Sequence, residues 1–599
     1  MKLDSGMGPS SLVLDAARHI AGRATLLEPV VFDGHIGALH RPTAQTPRGV
    51  TVVLCPPVGR DARCAYRPLF LFAEALAAQG VPVLRYDHAG DGDSLSLDAE
   101  IDRWPLWSAG LEQAAAFARA HTGAQRLVLA GLRIGASLAA SAARSVKPDG
   151  LILLAPLSTG RAWVRELQVA GGMVGMKPAA DGSIDIDGLR LSSATVASLN
   201  DLDLRRQESI GVETFLAMPT ADARLAASLG PKVRAVRFDG YAELFREAHL
   251  NAPPGAVFEA AAAWLEGFAA ATPDAAPAPP PPPARLVAED WTDWPVSFGA
   301  DLRGVLCLPA RPAPGPAVII GNTGGDPRAG IGSFAARACR ALASRGVAAL
   351  RFDFAGLGES ASPDSWRAHL YETDHTPDFR AAADLLAQKG YGDVALVGVC
   401  TGGYQALRAG VADDRFRRIM TINSWLIWRP GDSLEMKPVG ESVRPEVNVL
   451  ALAQASGWRR LLSGEIDPRM ALASVLRRLG RLFRLKPHDA ACRTARAEIA
   501  RLAAGGAKVR VVIGRYDATL EETEQDFGLH GRWLARQPGF EVAMIRNLDH
   551  GLFSRESQDL ALAEIFRFVG LSPEADGLAA RTARGDAGLA PSTNRQAAL

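Results

Sequence analysis

Apolar runs alternate along the chain with Ala- and Leu-rich stretches, and this alternation occurs twice. Short β-branched runs predict buried strands, and the amphipathic stretches between them predict helices. Continuously apolar strands that alternate with helices are typical of a mostly parallel sheet covered on both faces, so the predicted fold class is α/β. The predicted strands lie near residues 51–56, 81–86, 126–130, 150–155 and 212–217, and near 317–321, 347–352, 393–397, 418–422, 508–513 and 541–545.

The two halves of the chain share one sequence plan. QGVPVLRYDHAGDGDS at 79–94 matches RGVAALRFDFAGLGES at 345–360, with an offset of 266 residues. Such self-similarity across strand and turn signals predicts a tandem duplication. An Ala/Pro-rich segment at residues 271–284 separates the copies and is expected to be extended and semi-rigid. The predicted domains are therefore 1–270 and 285–570, followed by an Ala/Gly/Arg-rich tail at 571–599 that is predicted to be disordered.

Composition narrows the possible functions. The chain has 599 residues, of which 48% are hydrophobic and 22% charged, as expected of a globular protein. Its net charge of +1 gives no whole-protein field that would attract nucleic acid. The six cysteines form no CxxC pair, which favours free thiols in a reducing compartment. Because the sequence contains neither a signal-peptide pattern nor an apolar run of membrane-spanning length, we expect a cytoplasmic protein.

A chemically informative motif lies at residues 394–403, VALVGVCTGG. An apolar strand that runs into Gly-x-Cys-x-Gly and then into a helix resembles the nucleophile elbow of α/β-hydrolases, in which glycines permit a sharp turn. Asp517 and His550 follow later predicted strands, in the chain order nucleophile, acid, histidine that is typical of this fold. The sequence thus predicts a Cys400–His550–Asp517 triad. Taken singly, a buried cysteine, a loop-capping aspartate and a surface histidine are the competing interpretations.

The predicted triad has the groups that acyl chemistry needs. A thiolate is the reactive form of cysteine, and an imidazole and a helix N-terminus both stabilise it. Asp517 would fix the imidazole tautomer; Asp549 is a less suitable acid because neighbours on a loop rarely face each other. The expected oxyanion donors are the backbone N–H of Thr401 and the loop after the strand at 317–321, with Thr323 and Gly324 as candidates.

The first copy departs from this pattern. Arg133 occupies the nucleophile position, and a guanidinium cannot act as a nucleophile. Asp222 lies at the acid position, but the nearest histidine, His249, comes several residues late. We therefore expect this copy to be non-hydrolytic. Arg133 is either a structural ion-paired residue, with Asp222 as a candidate partner, or an anchor for a ligand carboxylate or phosphate; the structural role is favoured.

Residues 425–504 are inserted in the second copy and are predicted to form a helical cap over its active site. Within them, residues 472–484 combine helically spaced Leu and Val with four arginines. A cap helix with a solvated cationic face is favoured over contact with an anionic membrane surface.

Motifs in the elbows and beyond them are similar to those of the α/β-hydrolases encoded beside bacterial exosortase and exopolysaccharide systems. The matching segments are GLRIGA at 131–136 and GRAWVREL at 160–167 in the first copy, and GVC at 398–400, NSW at 423–425 and WRRLLSG at 458–464 in the second. The resemblance implies two tandem α/β-hydrolase domains and a cytoplasmic hydrolase or acyltransferase that acts on acylated polysaccharide precursors without a cofactor. Thr401 stands where this family usually has Asp, which implies a different substrate preference.

Together these observations predict an enzyme that cleaves or transfers an acyl group through a thioester on Cys400. Its expected substrate is a small-molecule acyl ester or thioester, with no nucleic acid, metal or cofactor. The alternative is a non-catalytic pair of domains that binds a ligand. The acyl group, the acceptor and the oligomeric state are left open by the sequence.

Overall fold

The computed structural model describes residues 25–43, 47–96, 101–173, 179–268, 279–361, 369–429 and 488–573. The described residues up to Gly392 form one compact unit, and those from Asp393 onward form a second. The compact units thus divide at a different place from the Ala/Pro-rich segment, and the domain boundaries at 271–284 stay a prediction. Most of the predicted cap (430–487), the segment 472–484 and most of the tail (574–599) lie outside the described residues.

The first unit contains an eight-stranded sheet with the order β1-β2-β4-β3-β5-β6-β9-β10. The strands β1, β2 and β4 pair antiparallel, and the remaining neighbours pair parallel. A short antiparallel hairpin, β7 with β8, follows β6. The strands are β1 (Thr25–Phe32), β2 (His35–Pro42), β3 (Val50–Cys55), β4 (Val83–Tyr86), β5 (Arg126–Leu132), β6 (Gly150–Leu154), β7 (Ile184–Ile186), β8 (Leu189–Leu191), β9 (Glu213–Met218) and β10 (Val233–Arg237).

The second copy repeats this topology. The strands of the second copy that lie in the first unit have the order β12-β13-β15-β14, which matches the order β1-β2-β4-β3 of the first copy. A short extra strand, β11, pairs with β12. In the second unit, β16, β17, β18 and β19 are parallel neighbours in that order. The strands are β11 (Leu286–Val287), β12 (Trp291–Phe298), β13 (Leu302–Pro309), β14 (Ala317–Ile320), β15 (Ala349–Asp353), β16 (Val394–Val399), β17 (Arg418–Ile422), β18 (Lys508–Gly514) and β19 (Phe540–Ile545).

Helices connect the parallel strands in both units. Those of the first unit are α1 (Gly59–Ala78), α2 (Arg103–Thr122), α3 (Ile134–Ser141), α4 (Ala143–Val146), α5 (Gly160–Met173), α6 (Ser193–Asp201), α7 (Ala223–Leu229), α8 (Tyr241–Leu244), α9 (Gly255–Leu265), α10 (Phe334–Ala343) and α11 (Thr376–Gln388). Those of the second unit are α12 (Thr401–Ala412), α13 (Ala490–Ala504), α14 (Ala518–Phe527), α15 (Arg532–Ala535) and α16 (Arg555–Phe568). No described helix is long and apolar enough to cross a bilayer.

The eight-stranded sheet is buried on both faces, as the apolar strands predict. Alternate residues of β3 point to opposite sides, so Val53 packs in one core with Trp107 of α2, and Val52 packs in another with Phe72 of α1 and Phe258 of α9. Each of these residues is at most 1% exposed. The predicted α/β fold class is confirmed.

The loops after β4 and β15 show the duplication at the level of single hydrogen bonds. Asp87 accepts from the backbone N–H of Asp93 at 2.8 Å, and Asp353 accepts from that of Glu359 at 3.1 Å. A Cβ on Gly92 would lie 2.2 Å from Oδ2 of Asp87, and a Cβ on Gly358 would lie 2.2 Å from Oδ1 of Asp353. Glycine is therefore required twice at the same place, so the repeated sequence produces the same local structure.

All eleven predicted strands are present. The prediction missed the hairpins β1–β2, β7–β8 and β12–β13 and the edge strands β10 and β11. β1 and β10 combine half-buried and exposed positions, and β10 mixes Val with Arg, so neither has the continuous apolar run that marks a central parallel strand. β13 does have such a run, at residues 305–308, and was missed all the same. Within the predicted cap, residues 425–429 are not helical, whereas Ala490–Ala504 forms α13.

Candidate active site

Cys400 stands at the turn between β16 and α12. Its backbone has φ 52° and ψ −120°, a conformation that is costly for a residue with a Cβ. A Cβ on Gly398 would lie 2.1 Å from the Gly402 carbonyl carbon, and one on Gly403 would lie 2.0 Å from the Ser424 hydroxyl. The glycines therefore let strand and helix approach closely, and the strained turn holds the thiol at the end of the strand.

Cys400 also differs from the other cysteines in exposure. All six cysteines lie in the described part of the chain; five are buried and Cys400 is partly exposed. Burial raises the pKa of Cys55, Cys64 and Cys339 to about 12, so these thiols stay protonated at neutral pH. Cys400 is thus the cysteine that a substrate in solvent can reach.

Asp517 caps the N-terminus of α14 and lies three residues after the end of β18. One carboxylate oxygen, Oδ1, accepts hydrogen bonds from the backbone N–H of Thr519 at 2.8 Å and from its hydroxyl at 2.6 Å. The other, Oδ2, lies 2.9 Å from Nδ1 of His550. Burial alone would raise the pKa of Asp517, but His550 and Thr519 outweigh it and lower the pKa below the usual value. The carboxylate is therefore ionised at neutral pH.

His550 lies in the loop after β19 and contacts both partners. Burial lowers its pKa, but the negative charges of Asp517 and of the Cys400 sulfur, with hydrogen bonds to both, raise it well above the usual value. Because Nδ1 is bound to Asp517, Nε2 is the ring nitrogen that remains for Cys400. The side chain of His550 is 29% exposed, whereas that of Asp517 is 3% exposed. The structure thus brings together the three residues that the sequence singles out.

The first copy has the same elbow with different chemistry. Arg133 has φ 54° and ψ −120°, nearly the values of Cys400. Its Nε lies 3.0 Å from Asp61, and its Nη2 lies 2.6 and 2.7 Å from the two Glu166 oxygens. The suggested pairing of Arg133 with Asp222 is therefore wrong, because α1 and α5 supply nearer carboxylates. With its charge balanced by two carboxylates, Arg133 has the geometry of a structural ion pair.

The other two candidate residues of the first copy lie elsewhere. Asp222 caps α7 by accepting from the backbone N–H of Leu225 at 3.0 Å, and it accepts a hydroxyl hydrogen bond from Ser158 at 2.7 Å. His249 lies beside the loop after β14, where its backbone nitrogen is 2.9 Å from the place of a Cβ on Gly325. Arg133 binds carboxylates and Asp222 caps a helix, so their contacts are not those of a catalytic acid and its partner.

Two family models match the chain. One, described as serine aminopeptidase, S33, covers residues 64–222, and the other, described as α/β hydrolase family, covers residues 330–565. Both halves have the α/β-hydrolase fold. Hydrolase activity is the general function that these matches support.

Solved structures align with less than half of this chain each. A serine hydrolase without a lid from Xanthomonas campestris is 17% identical, with 42% of this chain and 97% of that chain covered and a TM-score of 0.27. A proline iminopeptidase from Mycobacterium smegmatis is 15% identical, with coverages of 40% and 98% and a TM-score of 0.30. Est1E from Butyrivibrio proteoclasticus, with ferulic acid bound, is 17% identical, with coverages of 40% and 99% and a TM-score of 0.31. No curated protein matches the chain.

In the second copy, Asn423 connects the end of β18 with the loop that carries His550. Its side-chain N–H₂ donates to the carbonyls of Asp549 and His550 at 2.8 and 3.2 Å, and its Oδ1 accepts from the backbone N–H of Gly514 at 2.7 Å. Asn423 is fully buried and has φ 47°, a conformation that asparagine tolerates better than most residues. Sequence reasoning assigned it no role, although a polar residue directly after an apolar strand is a usable signal.

Asp549 shapes the histidine loop of this hydrolase copy. Its carboxylate accepts from the backbone N–H groups of Phe553 and Ser554 at 2.6 and 3.0 Å, and from the Ser554 hydroxyl at 2.8 Å. Its oxygens are thereby engaged within its own loop. This agrees with the choice of Asp517 over Asp549 as the partner of His550.

The predicted oxyanion donors lie on the elements that the hydrolase fold leads one to expect. Thr401 is the first residue of α12 and is buried. Thr323 and Gly324 follow β14 in the first unit, and Gly324 has φ 58°. Their function as donors to an oxyanion stays a prediction.

Proposed function

We propose that the second copy is an acyl hydrolase or acyltransferase that works through a thioester on Cys400. The observation that carries the proposal is the partly exposed Cys400 at a strained elbow, with a hydrogen bond to a His550 ring that Asp517 holds from the other side. This is the arrangement of nucleophile, base and orienting acid that covalent catalysis uses.

The proposed reaction has two steps. The Cys400 thiolate attacks the acyl carbonyl carbon, the bond to the leaving oxygen or sulfur breaks, and His550 gives its proton to that leaving atom. In the second step His550 takes a proton from water, an alcohol or an amine, which attacks the thioester and releases the thiolate. Water as acceptor makes the enzyme a hydrolase, and an alcohol or amine makes it a transferase.

The negative charge that develops on the acyl oxygen needs aimed donors. The backbone N–H of Thr401, at the start of α12, is one proposed donor, and the sequence predicts the other in the loop with Thr323 and Gly324. The N-terminus of α12 adds a favourable partial charge for both the thiolate and the oxyanion.

The proposed substrate is a small acyl ester or thioester. Its more specific assignment, an acylated exopolysaccharide or a related precursor, rests on the resemblance of the sequence motifs to hydrolases of exopolysaccharide systems. A ligand-binding role through Arg133 is less well supported, because Asp61 and Glu166 already neutralise its guanidinium.

Covalent labelling tests the proposal. A generic acyl thioester probe should add one acyl group to the full-length chain, and peptide mapping should find it on Cys400. Cys400→Ala should abolish the adduct, because the nucleophile is gone. Cys492→Ala is the matched control, since Cys492 also lies near a histidine, 3.4 Å from Nδ1 of His488, but is buried. No adduct on the unmodified chain, or an adduct elsewhere, would refute the proposal and favour a non-catalytic pair.

A further inference from the structure

Two buried ion pairs join the halves reciprocally within the first unit. Nη1 of Arg85 lies 3.0 Å from Glu359, and Nε of Arg351 lies 2.7 Å from Asp93. Arg351 is the residue 266 positions after Arg85, and Glu359 is 266 positions after Asp93, which is the offset of the sequence repeat. Each half thus contributes the arginine of one pair and the carboxylate of the other.

Hydrogen bonds to the backbone also run in both directions, although the two arginines that donate them are not equivalent positions of the repeat. Nη1 of Arg67, on α1, donates to the carbonyls of Gly358 and Ser360 at 2.9 and 3.0 Å. Nη1 of Arg340, on α10, donates to the carbonyl of Ser94 at 2.9 Å. Ser94 and Ser360 correspond in the repeat. The loop after β15 therefore accepts hydrogen bonds from an arginine on α1, and the loop after β4 accepts from an arginine on α10.

A contact in which residue i of one copy meets residue j of the other, and j meets i, is the signature of a two-fold interface between like subunits. The four side chains of the two ion pairs are between 0% and 10% exposed. Buried charges are stable only with a partner in place. Arg351 and Glu359 also pair with Asp293 and Arg328 of their own half. Arg85 and Asp93 form their ion pairs with the second half, so the first half in particular depends on the second for its charge balance.

The same interface reaches the loop after β14. Nη1 of Arg63, in the first half, lies 2.9 Å from Asp326, and Nε of Arg328 lies 2.9 Å from Asp93. Asp326 and Arg328 flank Pro327 in the loop that carries Thr323 and Gly324. Ion pairs with the first half therefore fix this loop from two sides.

We propose that the first half, which lacks a nucleophile, serves as a built-in docking partner that pairs with the second half about a pseudo-two-fold axis and holds the loop after β14 in place. The partner that fits this surface is a second copy of the same structural plan, not a separate protein. Neither the pairing nor the position of this loop rests on the proposed function of Cys400.

The pairing is tested on the full chain with a protease site inserted between Ala275 and Ala276. After cleavage, the two fragments of the otherwise unmodified chain should co-elute in native size-exclusion chromatography. Arg63→Asp and Asp326→Arg each place like charges together and should raise the dissociation constant by on the order of 100-fold or more, so that the fragments separate. The double variant R63D/D326R restores opposite charges and should restore co-elution.

Arg144→Asp is the matched control, because it makes the same charge change in an ion pair with Glu208 whose side chains are 55% and 87% exposed. Its fragments should stay together. Separation of the fragments without any charge substitution, co-elution of both single variants, or failure of the double variant to restore co-elution would each overturn the proposal.

The loop-holding role is tested by hydrogen exchange on the uncleaved chain. Arg63→Asp should speed exchange of the backbone amides of residues 323–328 by roughly tenfold or more, because the ion pair with Asp326 is lost. R63D/D326R should restore slow exchange, and Arg144→Asp should leave it unchanged. Unchanged exchange of these amides in R63D would overturn the loop-holding role.

Discussion

Cys400 and Arg133 have nearly the same backbone conformation in two copies of one elbow, yet their surroundings assign them opposite roles. Cys400 contacts the imidazole of His550. Burial lowers the pKa of this ring, but Asp517 and the Cys400 sulfur outweigh burial and raise it. Arg133 contacts two carboxylates. The strained turn thus presents a side chain in either copy, and the neighbouring charges determine whether that side chain is reactive or neutralised.

Asp517→Asn should move the pH dependence of Cys400 alkylation. The Asp517 carboxylate helps to keep His550 protonated, and the imidazolium in turn stabilises the thiolate. Without that negative charge the pKa of His550 falls, the thiolate loses its cationic partner, and the acidic limb of the alkylation profile should shift upward by about 1 pH unit or more. The rate of iodoacetamide alkylation, measured from pH 5 to 9, checks this. Asp414→Asn, which changes an exposed carboxylate that pairs with Arg417, is the control. An unshifted profile for Asp517→Asn would contradict the charge argument.

Arg133→Ala should destabilise the first half without affecting Cys400. Asp61 would lose the partner that offsets its burial, and loss of one member of a largely buried pair costs about 3 kcal/mol in the free energy of unfolding. Urea denaturation measures this cost. Arg161→Ala, which removes only an exposed hydrogen bond to the Asn200 carbonyl, is the control. Unchanged stability together with lost ligand binding would instead favour an anchoring role for Arg133.

At the scale of elements, the site depends on loops after three neighbouring parallel strands. Asn423 follows β17, Gly514 ends β18 and His550 follows β19, and the Asn423 side chain connects all three. Side chains at the carboxyl ends of parallel strands meet at one edge of a sheet, and one amide here fixes the spacing of the acid and histidine loops. Asn423 is therefore expected to act through the positions of its neighbours.

Asn423→Gly should lower kcat by roughly tenfold or more with little change in KM. Glycine accepts the positive φ, so this variant removes the amide without adding backbone strain, whereas the buried side chain has no access to substrate. Steady-state kinetics with an ester or thioester substrate measures the split. Asn423→Asp retains the acceptor for Gly514 but places a carboxylate against two carbonyls, so it should not restore activity. A pure KM effect would contradict positioning.

At the scale of the whole molecule, both copies place strongly buried strands at the centre of a sheet and more exposed strands at its end. Every residue of β3 is buried, whereas β10 at the sheet's end has no buried residue. In the second unit, four of the five residues of β17, between β16 and β18, are buried, whereas β19 has one buried residue. Local opening should therefore begin at β10 and β19.

Hydrogen exchange followed by mass spectrometry should show this order. Amides of β3, β5, β16 and β17 should exchange most slowly among the described strands, and those of β10 and β19 should exchange earlier, because edge strands have one paired neighbour and greater exposure. Slower exchange of β10 than of β5 would contradict the order.

The central parallel strands and the elbow could be predicted because their signals are local. Continuous apolar runs mark β3, β5 and β16, and the elbow glycines follow from the close approach of strand and helix. The outer strands β1 and β10 were missed because half-exposed strands lack such a run. The pairing of Asp517 with His550 was anticipated from chain order. The role of Asn423 was not, since its three partners lie at the end of β18 and in the loop after β19.

The sequence by itself determined the duplication, the α/β layers and the turn that presents Cys400, because hydrophobic periodicity and steric limits on glycine act over a few residues. Only the tertiary structure decided that Arg133 pairs with Asp61, 72 positions away, and that Arg351 pairs with Asp93, 258 positions away. Several carboxylates in the chain were chemically suitable partners. Packing selected among them, because a buried charge is stable only where the fold places its counter-charge within a few ångströms.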